Sequence, residues 1–374
     1  MNSKSHKRRK PLPFQFNHYE IAFSGYSNSG KTTLIEKIIN KFSDEYSVGY
    51  VKHDAHFFAM DVEGKDTYKM TQAGASNCYI NDSTHNALQS SIPSSQNLQY
   101  QKFLDNDFVL VEGFKSSDIP KFIIADGEAT ILDQEELFND KTIGIIGQSK
   151  SNPSSMDFPY FHRDDITSIA AAVLNHFHAK TEANPIYGLV LGGGHSTRMG
   201  VDKNHIEFKG DTLSNNAYRN LSTVCSKVFH SSRAGQIINI DHHHIDDSFL
   251  DLGPLGGILS AQRAHPEATW LVVACDLPRI DQSVLEHLIK SRAPFKMATA
   301  FASEYSKHPE PLCTLFEPKS YTRNLQVMAR GFACPRNCLI ESQIKVVAPL
   351  FKGSLDNANT SDDLKRIIEE ASNN

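Results

Sequence analysis

Two glycine-rich loops of different design each follow a short hydrophobic run, which commits the chain to a pair of α/β nucleotide-binding sheets. The first loop is Gly25-Tyr26-Ser27-Asn28-Ser29-Gly30-Lys31-Thr32, which meets G-x-x-x-x-G-K-[ST] at every fixed position and is followed by Thr33. Such a loop wraps backbone N–H groups and a helix N-terminus round a phosphate; its lysine reaches the β and γ phosphates and its threonine hydroxyl can ligate Mg²⁺. The second is Leu191-Gly192-Gly193-Gly194-His195-Ser196-Thr197-Arg198-Met199-Gly200, with Asp202-Lys203 just beyond. It fits neither the Walker pattern nor G-x-G-x-x-G. Its glycines still let a backbone approach a nucleotide closely, and Arg198 and Lys203 bring positive charge to phosphates.

The surrounding sequence has the periodicity these loops require. Residues 19–24 read as a buried strand, and after Lys31 the period switches to helical, with Ile35, Ile38, Ile39 and Phe42 on one face. Apolar runs at 46–51, 108–111, 122–125 and 143–146 alternate with polar and helical stretches, the pattern of a largely parallel sheet. An amphipathic helix bearing Ile166, Ile169, Ala170, Val173, Leu174 and Phe177 closes this half. A second series opens at 186–191 and continues at 228–231, 237–240, 270–275, 296–302, 312–316 and 344–348. Helices are expected at 282–291 and at 362–371, the last capped by Thr360 or Ser361. A length of 374 residues also argues for two domains. The expected fold class is α/β: a P-loop NTPase-like parallel sheet over 18–178 and a Rossmann-like sheet over 186–374. A polar linker at 179–185 joins them, and a disordered basic tail, 1–17, precedes them.

Composition narrows the function. A net charge of -5 argues against a general nucleic-acid binder, whose footprint is basic. Lys7, Arg8, Arg9 and Lys10 lack the apolar core of a signal peptide, and no apolar run is long enough to span a bilayer. The six cysteines form no paired framework, and Cys334 and Cys338 have no second pair to complete a zinc site. A soluble cytoplasmic protein with reduced thiols and no nucleic-acid or membrane partner is expected. His242-His243-His244 sits in a polar stretch and reads as surface loop, since adjacent histidines rarely converge on one ion.

Asp107-Phe108-Val109-Leu110-Val111-Glu112-Gly113 supplies the acid that a Walker loop needs, with Glu112 ending a hydrophobic strand and Asp107 starting it. Glu112 is placed to hold a metal through water or to polarise a nucleophile. No Asn-Lys-x-Asp motif appears, so the loop leaves the base open. Around it, Val51-Lys52-His53-Asp54-Ala55-His56, Gly64-Lys65-Asp66-Thr67, Ala73-Gly74-Ala75 and Val111-Glu112-Gly113-Phe114-Lys115 resemble the adapter proteins of molybdopterin-guanine dinucleotide biosynthesis, over about 20–177. The resemblance implies a domain that binds GTP, hydrolyses it weakly and assists a partner transferase. Gly25, Ser29, Gly30, Lys31, Thr32, Thr33 and Glu112 would hold the nucleotide, with Thr32 on the metal. It also puts Lys52, His53 and Asp66 near the nucleotide or a bound anion; without it, each reads as an ordinary loop residue.

The second loop resembles the L-x-G-G-x-S-x-R-M-G-x-D-K run of molybdenum cofactor guanylyltransferases, with Gly192 in place of the usual alanine. Three later segments agree. Asp247 precedes Gly253-Pro254-Leu255-Gly256-Gly257, with Gly256 where that family has alanine; Leu271-Val272-Val273-Ala274-Cys275-Asp276-Leu277-Pro278 ends a buried strand on Asp276; and Asn357-Ala358-Asn359-Thr360 resembles its N-x-N-T. This likeness covers about 186–368 and implies a nucleotidyltransferase fold. It makes Arg198, Lys203 and Asp276 catalytic. Leu191, Gly192, Gly193, Lys203, Ser231, Asp247 and Asp276 would bind nucleotide, Gly256, Asn357 and Asn359 the acceptor, and Asp276 Mg²⁺. The implied reaction moves GMP from GTP to molybdenum-molybdopterin and releases pyrophosphate. Implied partners are molybdopterin-insertion proteins, molybdoenzyme clients and a second copy joined through the N-terminal domain. Two alternatives stay open: a related transferase using another nucleotide or acceptor, and a GTP-dependent cofactor carrier without transferase activity.

Overall fold

The computed structural model describes residues 15–52, 61–115, 117–149, 152, 157–192, 206–208, 210–233, 239, 241–358, 363, 365–367 and 369. Most of the basic tail, His53, the heart of the second glycine loop with Gly193, Arg198, Asp202 and Lys203, and Asn359 to Ser361 lie outside them. The chain divides into two compact units, Met1–Leu174 and Asn175–Asn374.

In the first unit β1 (Glu20–Gly25) is buried along its whole length, as a strand with parallel neighbours on both sides and helices on its faces must be. It feeds the phosphate loop and α1 (Lys31–Phe42), whose buried face is Leu34, Ile35, Ile38 and Phe42. There follow β2 (Val48–Lys52), α2 (Asp66–Gln72), β3 (Asn77–Asn81), β4 (Asn86–Ser90), α3 (Gln96–Phe103), β5 (Phe108–Glu112), β6 (Lys121–Ile124), β7 (Thr142–Gly147), β8 (Tyr160–His162) and the start of α4 (Ile166–Ala183), whose residues from Asn175 on belong to the second unit. Six strands form one sheet in the order β2-β5-β1-β6-β7-β8. Every neighbouring pair in it is parallel. The other two, β3 and β4, make a separate antiparallel hairpin. Its turn is tied by Asp82, whose Oδ1 accepts the N–H groups of Thr84 (2.7 Å) and His85 (2.6 Å).

The expected linker needs correcting: α4 runs on to Ala183, so most of 179–185 is helical. The polar letters mislead because the Thr181 hydroxyl is satisfied inside the helix by the His178 carbonyl (2.8 Å), leaving the residue 3% exposed. Phe177 and His178 also lay their rings against Phe295, at 6.1 and 5.1 Å between centroids.

The second unit comprises β9 (Ile186–Leu191), β10 (Glu207–Phe208), β11 (Asp211–Thr212), α5 (Leu213–Ser222), β12 (Lys227–Ser232), β13 (His243–Asp246), α6 (Pro254–Ala264), β14 (Thr269–Ala274), α7 (Gln282–Lys290), β15 (Ala298–Ala302), β16 (Pro309–Phe316), α8 (Ser320–Ala329), α9 (Pro335–Ile340) and β17 (Ile344–Val347). Its main sheet has the order β13-β12-β9-β14-β16-β15-β17. The first four strands are parallel, whereas β16 runs against both its neighbours. Residues 363, 365–367 and 369 are helical, in line with the expected last helix.

A second correction concerns the histidines. Of the strand expected at 237–240 all but Asn239 lies outside the described residues, and Asn239 is in no strand; a strand is found at His243–Asp246. His243 and His244 therefore belong to β13 and not to a loop. His242 stacks on Tyr218 at 3.6 Å, and its Nδ1 lies 2.9 Å from Nε2 of the fully buried His230. Flat imidazoles pack as aromatics when their nitrogens find partners, a behaviour that a polar run conceals. Among the described residues no helix is long and apolar enough to cross a membrane.

Candidate functional site

Each unit carries its own candidate site. In the first, the loop curls through left-handed conformations at Asn28 (φ 61°) and Gly30 (φ 78°), which brings α1 in end-on. Lys31 lies across the loop and donates to the Tyr26 carbonyl at 2.5 Å. Burial lowers its pKa first; Glu112 acts to raise it, while the charges of Lys115 and Lys52 lower it further. The Thr32 hydroxyl donates to the Glu112 carboxylate, 2.8 Å from Oε2. Glu112 is only 5% exposed and also accepts the Tyr50 hydroxyl at 2.7 Å, with the Lys52 ammonium 3.9 Å away. Burial, followed by that hydrogen bond, raises the Tyr50 pKa. Asp107, at the other end of β5, instead accepts the Ser47 N–H at 2.8 Å.

A hydroxyl beside a carboxylate at a helix N-terminus is a hard oxygen set that fits Mg²⁺. No three His, Cys, Asp or Glu side chains gather round one point among the described residues.

Four residues around this loop were given no role by the sequence. Tyr50 was one. Lys115 stands over the Tyr26 ring, 4.4 Å from its centroid. Lys121, buried with its pKa lowered by burial, donates to the carbonyls of Lys115 (2.8 Å) and Ser117 (2.7 Å) and so fixes the turn after Glu112. Arg163, one residue past β8, donates from Nη2 to the Ser29 carbonyl at 3.0 Å. Its only sequence signal is a cation following a strand too short to recognise. Of the residues expected near a bound anion, Lys52 reaches Glu112, whereas Asp66 opens α2 and pairs with Lys69 at 3.9 Å.

In the second unit the parallel strands end in line: Leu191 of β9 lies opposite Ser231 of β12 and Ala274 of β14. The strand order reverses between β9 and β14, and ligands of open α/β sheets bind in the crevice at such a reversal. Leu191 and Gly192 emerge there, held by the Cys275 N–H to the Leu191 carbonyl (3.1 Å), and Asp276 follows Cys275. The Ser231 hydroxyl donates to Asp247 at 2.8 Å; burial raises the Asp247 pKa, and that bond opposes the rise. The Ala358 N–H donates to the Asp276 carbonyl at 2.8 Å, which carries the exposed Asn357 to the same strand end.

Gly256 lies buried in the first turn of α6, where a Cβ would strike the Phe249 carbonyl oxygen. This backbone contact accounts for glycine where the resembled family has alanine. Glu310 of β16 is a further acid that the sequence did not reveal. Burial raises its pKa first, and the charge of Asp276 adds to the rise. Arg198, Lys203, Gly193 and Asn359 lie outside the described residues.

Comparisons with known proteins follow the same division. Residues 21–147 match the family model of molybdopterin guanine dinucleotide synthesis protein B, and residues 188–340 match that of the MobA-like NTP transferase domain. The molybdopterin-guanine dinucleotide biosynthesis adapter protein of Haemophilus influenzae is 38% identical over 42% of this chain and 90% of its own length. A probable molybdenum cofactor guanylyltransferase of Flavobacterium johnsoniae is 30% identical over 32% of this chain and 63% of its own length. A molybdenum cofactor biosynthesis bifunctional protein of Synechocystis sp. is 31% identical over 50% of this chain, which spans 55% of that relative.

Proposed function

We propose, for a chain that belongs to the molybdopterin-guanine dinucleotide biosynthesis adapter family and carries a MobA-like NTP transferase domain, a two-part role in molybdenum cofactor biosynthesis. The second unit transfers GMP from GTP to molybdenum-molybdopterin, forming molybdopterin guanine dinucleotide and pyrophosphate. The first binds GTP at its Walker loop, hydrolyses it weakly and assists the transfer. The observation that carries the transferase reading is the convergence of Leu191, Gly192, Asp276 and the segment of Asn357 at the strand-order reversal.

The chemistry needs no general base. A terminal phosphate monoester carries most of its second negative charge near neutral pH and is already a nucleophile. Its oxygen attacks the α-phosphorus of GTP in line; the bond to the β-phosphate oxygen breaks, and pyrophosphate leaves with the electron pair. The difficulty is bringing two anions together. Arg198 and Lys203 offset that repulsion, the glycine-loop backbone orients the triphosphate, and Asp247, held by Ser231, accepts a hydrogen bond from the nucleoside. Mg²⁺ held by Asp276 and the phosphates would supply Lewis-acid stabilisation of the leaving group.

The test is pyrophosphate release from the full chain given GTP, Mg²⁺ and molybdenum-molybdopterin. Asp276→Asn removes charge at constant volume, and loss of such transition-state stabilisation costs about 3 kcal/mol, roughly a hundredfold or more in rate. Wild-type turnover by that variant would remove Asp276 from the site. Release with CTP alone would favour the related transferase, and GTP binding without any release the carrier.

The partners follow from this reading: molybdopterin-insertion proteins, client molybdoenzymes and a second copy of the chain. Exposed Tyr79, Ile80 and Leu88 on the β3–β4 hairpin support the second copy. Ile80→Lys with Leu88→Lys is expected to halve the mass seen by sedimentation, while an unchanged mass would place any dimer contact elsewhere. The six free cysteines suit a reducing cytoplasm.

A further inference from the structure

Between the first turn of α1 and the end of β8 lies a cleft of ≈ 200 Å³, lined by Gly30, Thr33, Leu34, Lys37, Arg163 and Asp164. Its place relative to the phosphates follows from the loop. Thr32 and Glu112 fix the metal and terminal-phosphate end on the β5 side of β1, and β6, β7 and β8 lie on the other side. Backbone N–H groups of such a loop cradle the α and β phosphates while the lysine reaches the β and γ. The nucleoside therefore leaves past Thr33, on the cleft side. The cleft is smaller than the ~300–1,000 Å³ of pockets that hold a whole ligand, which suits a base alone.

Its polar groups select among bases. The Asp164 side chain is 71% exposed, with the Lys37 ammonium 4.0 Å and the His162 imidazole 3.8 Å away. A carboxylate accepts two parallel N–H donors. Guanine presents two on one edge, the imino N1–H and the 2-amino group, whereas adenine presents a donor beside an acceptor. Arg163 forms the other wall. Its bond to the Ser29 carbonyl joins the phosphate loop to the cleft, and its guanidinium fills the space in which any side chain at position 30 would sit. The planar guanidinium also offers a stacking face to a purine.

We infer that this cleft is the base subsite of the first unit, with Asp164 reading the imino and amino groups of guanine and Arg163 coupling the base to the phosphate loop. The subsite rests on the Walker reading above, and its test separates the two. Binding of GTP, inosine triphosphate, xanthosine triphosphate and ATP to the full chain is measured beside the Lys31→Ala variant. Only the component lost with Lys31 is followed, because the second unit has a GTP site of its own. Wild type prefers GTP to the other three.

Asp164→Asn, an isosteric change at an exposed position, weakens GTP about tenfold. It strengthens xanthosine triphosphate by a similar factor, since the new amide donates to the 2-oxo group. An unchanged ratio of GTP to xanthosine triphosphate, with Lys31-dependent binding intact, overturns the subsite alone. Absence of any Lys31-dependent GTP binding in wild type overturns the Walker reading and the subsite with it.

Discussion

Glu112 accepts a threonine hydroxyl and a phenol on one buried carboxylate, so its charge can be removed with little change of shape. Glu112→Gln is expected to lower phosphate release from GTP, measured without acceptor, by about a hundredfold, near 3 kcal/mol. Unchanged hydrolysis would take Glu112 out of the chemistry. His230 makes a different prediction. Burial first, then the charges of His242 and His244, lower its pKa from 6.5 to about 3 in the folded chain. The unfolded chain therefore takes up this proton first as pH falls. The stability that neutral His230 contributes is whole above about pH 6.5 and declines below it, by about 1.4 kcal/mol per unit, until the folded pKa is reached. Urea unfolding between pH 7.5 and 5.5 should show this slope in wild type and a shallower one in His230→Gln; equal slopes would assign the acid sensitivity to other groups.

At the scale of elements, α6 packs so closely under the Phe249 carbonyl that one methyl group is too many. Gly256→Ala, a return to the residue of the resembled family, is expected to destabilise the second unit by about 1–3 kcal/mol, read as a lower Tm. A Tm at or above wild type would show that the 249–253 turn yields freely. Elements with both faces buried, such as β1, β5, β9 and β14, were legible as apolar runs because burial on two faces leaves no polar alternation. The β3–β4 hairpin was not, since Tyr79, Ile80 and Leu88 stay exposed and its turn depends on one aspartate. The same contrast holds in the sites. Loop residues Gly25 to Thr32 and the strand-end acids Glu112 and Asp276 occupy positions that chain order predicts. Arg163, Tyr50 and Glu310 reach their partners only through strand pairing, which a linear pattern does not encode. The histidine run failed for the opposite reason: it was read by polarity, and it packs by shape.

At the scale of the whole molecule, the proposed division of labour predicts separable losses. Lys31→Ala should suppress GTP hydrolysis and spare dinucleotide synthesis, and Lys203→Ala should do the reverse. Equal loss of synthesis in both would mean that the two sites act as one. The extent of α4 also moves the useful cut point. A fragment from residue 175 keeps Phe177 and His178 over Phe295, and one from residue 184 does not. Both should release pyrophosphate, with the longer fragment more stable by about 3 kcal/mol or more, the scale of losing a buried aromatic ring. Equal stability would show that the end of α4 adds nothing to this unit. The position of β1 has a further consequence, for the newborn chain. Both β1 and β2 take β5 as a neighbour, and β1 has only β6 besides, so neither finds a sheet partner until residues 53–107 have been made. From the end of β1 to the end of β5, residues 26–112, that delay is roughly 4 to 17 seconds at ~5–20 residues per second on the ribosome. For that interval the strand bearing the phosphate loop is an apolar segment with unmatched edges, open to capture by chaperones or by its own copies on neighbouring ribosomes.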